Sequence, residues 1–88
     1  MTPDPAFLQA FDALPTGGYG GTFRGKRYRV TKTVMATGRS QKLEAEELGG
    51  PDYISLNLYR LSNGTALLKP CEMPTEKVIE FVLQVAPD

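Results

Sequence analysis

From Thr22 to Cys71 the chain is rich in Val, Thr, Tyr, Leu and Ile, and it is cut at close intervals by the turn signals "RGK", "ATGR", "LGGPD" and "SNG". Links this short join antiparallel neighbours, because a parallel crossover takes about a dozen residues or more. The spacing therefore predicts an antiparallel β-meander of four to five strands.

Both flanks read as helix. In "DPAFLQAFDALPTGG" Asp4 caps the start, Pro5 suits the first helical position, and Phe7, Leu8, Phe11 and Leu14 recur on one stripe before Pro15 and Gly17 stop it. In "MPTEKVIEFVLQV" Pro74 comes early and Glu76 sits in the first turn, where the helix dipole favours it. Val78, Ile79, Val82, Leu83, Val85 and Ala86 form its apolar side, and Glu76, Lys77, Glu80 and Gln84 its wet side. Helix, meander, helix is the α+β layer pattern, with an N-terminal and a C-terminal helix packed on one face of the sheet. A small barrel plugged by a helix is the competing arrangement. With 88 residues there is room for one small domain over residues 1–88.

Composition excludes several classes of chemistry. The chain has no histidine, so it offers no Ser-His or Cys-His nucleophile pair, no imidazole acid or base and no histidine metal ligand. Its single cysteine, Cys71, can form neither an internal disulfide nor a cysteine zinc site within the chain. The expectation is a non-enzymatic protein without metal or cofactor. The longest apolar runs, "ALL" and "FVL", fall far short of the roughly 20 residues a bilayer span needs, so no membrane contact is expected. The opening "MTPDPAFLQAFD" carries acid where a secretory signal is positive, and the expected location is the cytoplasm.

"GYGGTFRGKR" contains the G-x-x-x-x-G-K spacing of a phosphate-binding P-loop, running from Gly20 to Lys26. Arg27 stands where that motif needs a hydroxyl, and a β-branched run follows where it needs a helix, so the phosphate reading is rejected. The stretch reads instead as a hairpin with Gly25 and Lys26 as its turn, Arg24 opposite Arg27 and Phe23 opposite Tyr28. Alternation then puts Phe23, Tyr28 and Val30 on one face, and Thr22, Arg24, Arg27, Arg29 and Thr31 on the other.

Charge is unevenly distributed. Met1 to Leu43 holds seven Lys/Arg against two Asp, whereas Glu44 to Asp88 holds three against eight. Arg24, Lys26, Arg27 and Arg29, interleaved with Tyr28, are candidates for binding an anion, single-stranded nucleic acid or RNA. The competing explanation is cross-strand pairing. A turn at Thr37 and Gly38 sets Val30 opposite Ala45, Arg29 opposite Glu46, Thr31 opposite Glu44, Lys32 opposite Leu43, Thr33 opposite Lys42 and Val34 opposite Gln41. In that register the basic strand is neutralised by the acidic one, and only Arg24, Lys26 and Arg27 near the hairpin end stay unpaired.

Three further features bear on function. Cys71 in "KPCEMP" precedes a helix, where a thiol can be activated, although a cysteine at a strand end is commonly a small buried hydrophobe. Glu44 and Glu46 share a face but read as solvated. In the most strand-like stretch, "GGPDYISLNLYRLSNG", a three-residue loop with left-handed Gly64 sets Leu58 opposite Leu68, Tyr59 opposite Leu67 and Arg60 opposite Ala66. Ile54, Leu56 and Leu58 then face the helices, while Tyr53, Asn57, Tyr59 and Leu61 occupy the far side. That tyrosine-bearing surface points to a protein-interaction or self-association module, contacting a protein partner or forming a homodimer through Tyr53, Asn57 and Tyr59. Nucleic-acid binding at the basic hairpin is the alternative, and thiol chemistry at Cys71 the third.

Overall fold

The computed structural model describes residues 1–88. Helix α1 (Pro5–Ala13) leads into strands β1 (Gly17–Phe23), β2 (Lys26–Met35), β3 (Ser40–Glu47), β4 (Tyr53–Arg60) and β5 (Ala66–Pro70), followed by helix α2 (Thr75–Gln84) and a short strand β6 (Ala86–Pro87). All strand pairs are antiparallel, and the sheet order is β5-β4-β3-β2-β1-β6. The fold class is α+β, with six strands where four to five were expected. The additional length lies at one edge. The strand β1 begins at Gly17, in a glycine-rich run with few side chains to signal a strand, and β6 is only two residues long.

Local chemistry explains the ends of the elements. The Asp4 carboxylate accepts from the backbone N–H groups of Ala6 and Phe7, capping α1. At the β1–β2 turn Arg24 and Gly25 both have positive φ, 51° and 76°, and Phe23 pairs with Lys26. This is the left-handed two-residue turn that matches strand twist. The turn therefore sits one residue earlier than Gly25–Lys26, so Thr22 faces Arg27 and Gly21 faces Tyr28. Because the slip moves both strands, Phe23, Tyr28 and Val30 still share one face, and Thr22, Arg27 and Arg29 the other.

The β2–β3 and β4–β5 registers follow the expected pairings, including Arg29 with Glu46 and Leu58 with Leu68. The β2–β3 connection is a four-residue loop in which Ala36, Thr37 and Gly38 all have positive φ. At the outer edge of β5, Leu68 exchanges backbone hydrogen bonds with Met1, at 2.7 and 3.2 Å.

Both helices lie on the same side of the sheet, and 17 buried residues form the cluster between the layers. Phe81 stands at its centre, with ring centroids 5.0 Å from Phe23 and 5.3 Å from Tyr28. The apolar stripe of α2 thus runs through Val78, Phe81 and Val82, while Leu83, expected inside, is exposed. Gly21 eases a close approach, since a Cβ there would lie 3.2 Å from Val85 Cγ2 and that side chain would have to give by a few tenths of an ångström where α2 ends against β1.

Candidate functional site: the uncovered sheet face

Strand alternation gives the sheet an inner face packed on the helices and an outer face with no layer over it. On the outer face four rows cross the central strands. They read Arg29–Glu46–Tyr53, Thr31–Glu44–Ser55, Thr33–Lys42–Asn57 and Met35–Ser40–Tyr59, with Lys69 and Leu67 extending the last two onto β5. The three residues expected to bind a partner, Tyr53, Asn57 and Tyr59, therefore do lie on one face. Tyr53 is exposed, and Asn57 and Tyr59 are half-buried.

The first two rows are not flat. Arg29, Thr31, Glu44, Glu46, Tyr53 and Ser55 line an open groove of about 380 Å³. One residue from each of the two sequence-derived sites, Tyr53 and Arg29, thus contributes to the same concavity, which the sequence could not show because the two lie on strands separated by β3. The Lys77 ammonium lies 5.8 Å from the Tyr53 ring centroid at the end of this face.

The charge pattern differs from the expected one in an instructive way. Two of the hairpin cations expected to stay free are paired. Arg24 reaches Glu80 on α2, and Arg27 grips Asp88 with both guanidinium nitrogens, at 2.8 and 2.5 Å, while also donating to Thr22 Oγ1. That guanidinium holds the Asp88 carboxyl below the ordinary carboxylate range. Gly20 makes room for this pair, because a Cβ there would lie 2.7 Å from Asp88 Oδ2.

Arg29, by contrast, faces Glu46 in the register but forms no ion pair, and neither does Lys26. Its guanidinium lies over the bare backbone of Gly18, with Nη2 3.6 Å from where a Cβ would be. The four basic candidates do not form one patch. Tyr28, the aromatic expected to stack beside them, is 2% exposed within the core.

Two polar arrangements on the inner side were not foreseen. The Tyr28 hydroxyl donates to Asp52 Oδ2 at 2.8 Å, and Lys77 Nζ donates to Asp52 Oδ1 at 2.6 Å. The lysine hydrogen bond is the main reason the Asp52 carboxyl is held below its usual range, with the phenol helping. Burial, followed by the hydrogen bond to Asp52, pushes the Tyr28 phenol up to about 12. Lys32 is 4% exposed and donates to the carbonyls of Phe11 and Leu14, at 2.7 and 3.0 Å, so a buried ammonium closes the C-terminal end of α1. Burial lowers its pKa, and Asp12 opposes the shift. The signal was present, since period-two alternation puts Lys32 between Val30 and Val34 on an otherwise apolar face.

Cys71 is exposed, which corrects its reading as a buried hydrophobe. Glu44 and Glu46 are exposed as expected, and Glu44 lies 3.7 Å from Lys42 on its own strand. No helix is long and apolar enough to cross a membrane. No family model matches the chain, and comparison with curated proteins and with solved structures returns no match.

Proposed function

We propose that the protein is a non-enzymatic interaction module that docks a protein surface on its uncovered sheet face, through Tyr53, Asn57 and Tyr59 together with Arg29. The observation that carries this reading is the one-sided sheet. Its inner face is sealed by two helices, while its outer face presents two tyrosines and the partly exposed Leu67 and Met35 among charges of both signs. Aromatic side chains and arginine are the types enriched where protein surfaces meet.

The mixed charge around Arg29 favours a protein over a polyanion. Glu44 and Glu46 share its groove and would repel phosphate, and the hairpin aromatics are turned to the core, Phe23 and Tyr28 buried and Tyr19 half-buried against it, so none is free to stack on bases.

A photo-crosslinking side chain installed at Tyr59 in the producing cell tests this, with Leu83 on the exposed side of α2 as control. An adduct from position 59 and none from position 83 is expected. Absence of any adduct from position 59, in a variant that folds, overturns the reading. Salt-dependent retention of the wild type on single-stranded RNA, abolished by Arg29→Glu, would favour the basic-site alternative.

A further inference from the structure

Resting on that reading, we infer that the occupant of the outer face is a second copy of this chain, stacked face to face with its strands antiparallel across a two-fold axis. The change of sign between Lys42 and Glu44 at the middle of β3 carries the inference, with Arg29 and Glu46 falling opposite the uncharged Met35 and Ser40. The outward residues of the central strand β3 run Ser40, Lys42, Glu44, Glu46, flanked by Tyr59, Asn57, Ser55 and Tyr53 on β4.

A two-fold axis lying across the strands at the middle of this block exchanges the first row with the fourth and the second with the third. Lys42 then meets Glu44 of the other copy, Glu44 meets its Lys42, and Tyr53 meets its Tyr59 at both ends. Each favourable contact occurs twice because the interface is isologous. An axis along β3 instead stacks Glu44 on Glu44, Glu46 on Glu46 and Lys42 on Lys42, an arrangement that like-charge repulsion opposes.

Sheets packed face to face lie about 10 Å apart with strand directions within about 30°, a gap that lysine and glutamate side chains from opposite sheets can bridge. The Lys42 and Glu44 side chains are 39% and 54% exposed and lie 3.7 Å from one another on β3, so the two-fold contact exchanges this exposed ion pair in each copy for two between copies. The three strands β2, β3 and β4, about 4.8 Å apart, and four rows about 6.8 Å apart give an overlapping face of roughly 390 Å² in projection. That is about half of the roughly 800 Å² per partner of a stable interface, which places the dimer in the weak, transient class.

The test is a charge swap followed by sedimentation. Wild type is expected to sediment as a concentration-dependent mixture of monomer and dimer. Lys42→Glu and Glu44→Lys, both at exposed positions and checked for folding by circular dichroism, each turn two attractions into repulsions and should weaken association by about tenfold or more. An equimolar mixture of the two variants should regain the dimer, because one carries two acids and the other two bases at the facing positions.

A wild type that stays monomeric at high concentration overturns the inference. So does association that ignores both swaps but is lost in Arg29→Glu, or a mixture that behaves as two monomers. If the crosslink from position 59 joins a different protein, the self-association inference fails while the interaction-module reading stands. If position 59 gives no adduct at all, both fail.

Discussion

Replacing Tyr28 by Phe tests the buried phenol–carboxylate contact through a change of sign with pH. The ring stays in the Phe23–Phe81 cluster and only the hydroxyl is lost. Asp52 keeps the Lys77 ammonium at 2.6 Å and so is not stranded. A hydrogen bond to a charged acceptor contributes about 1.5–3 kcal/mol, so Tyr28→Phe should lose about 2 kcal/mol at pH 7.

The phenol titrates at about 12 in the folded protein and at about 10 unfolded. Its folded value is the higher one, so its contribution is complete below about pH 10 and falls by about 1.4 kcal/mol per pH unit as the pH rises toward 12. The variant has no such loss. The gap between the two proteins should therefore shrink to about 0.6 kcal/mol at pH 11 and reverse near pH 12. Urea unfolding of both at pH 7, 9, 10 and 11 reads this directly, and the other titrating groups are common to both proteins and cancel. A gap at pH 11 equal to that at pH 7 would refute the reasoning, as would no loss at pH 7.

The other predictions concern single contacts. Tyr19→Phe should have the opposite sign and gain about 1 kcal/mol in urea unfolding, because the Tyr19 hydroxyl is buried without a hydrogen-bond partner in the protein. Asp52→Asn should flatten the acid limb of the stability profile. The wild-type carboxyl is held low by Lys77, so its contribution is present above about pH 4 and lost as the pH falls through the depressed value. Arg24→Asn should raise stability by about 0.5 kcal/mol in thermal unfolding, since asparagine tolerates the positive φ of that turn better and the lost partner is an exposed ion pair. Cys71 should react with a thiol reagent in the native protein as fast as in a short peptide, because it is exposed; protection until unfolding would contradict its placement.

Much of the fold was legible in the chain because the deciding signals are local and periodic. Short turns exclude crossovers, and period-two alternation assigned Ile54, Leu56 and Leu58 to the core and Tyr53, Asn57 and Tyr59 to the far face. The "ATGR" and "SNG" loops set their registers correctly. Even the turn, expected at Gly25–Lys26 and found at Arg24–Gly25, left the faces of the strand residues intact and took only Arg24 off the outer face, since moving a turn by one residue changes which partners meet but not their parity.

What only the tertiary structure decided is which charges find each other. Arg24 and Arg27 are neutralised by Glu80 and Asp88, 56 and 61 residues away in the chain. Arg29 is left over glycine beside acids it does not pair with. A hydrophobic pattern cannot encode these choices, because an ion pair needs only that two flexible side chains reach one point in space. That point is fixed by how α2 and the last residues pack back against β1 and β2. The same packing brings Lys32 to the end of α1 and Tyr28 to Asp52, so the polar contacts that distinguish this sheet from any other meander were set by its layers rather than by its strands.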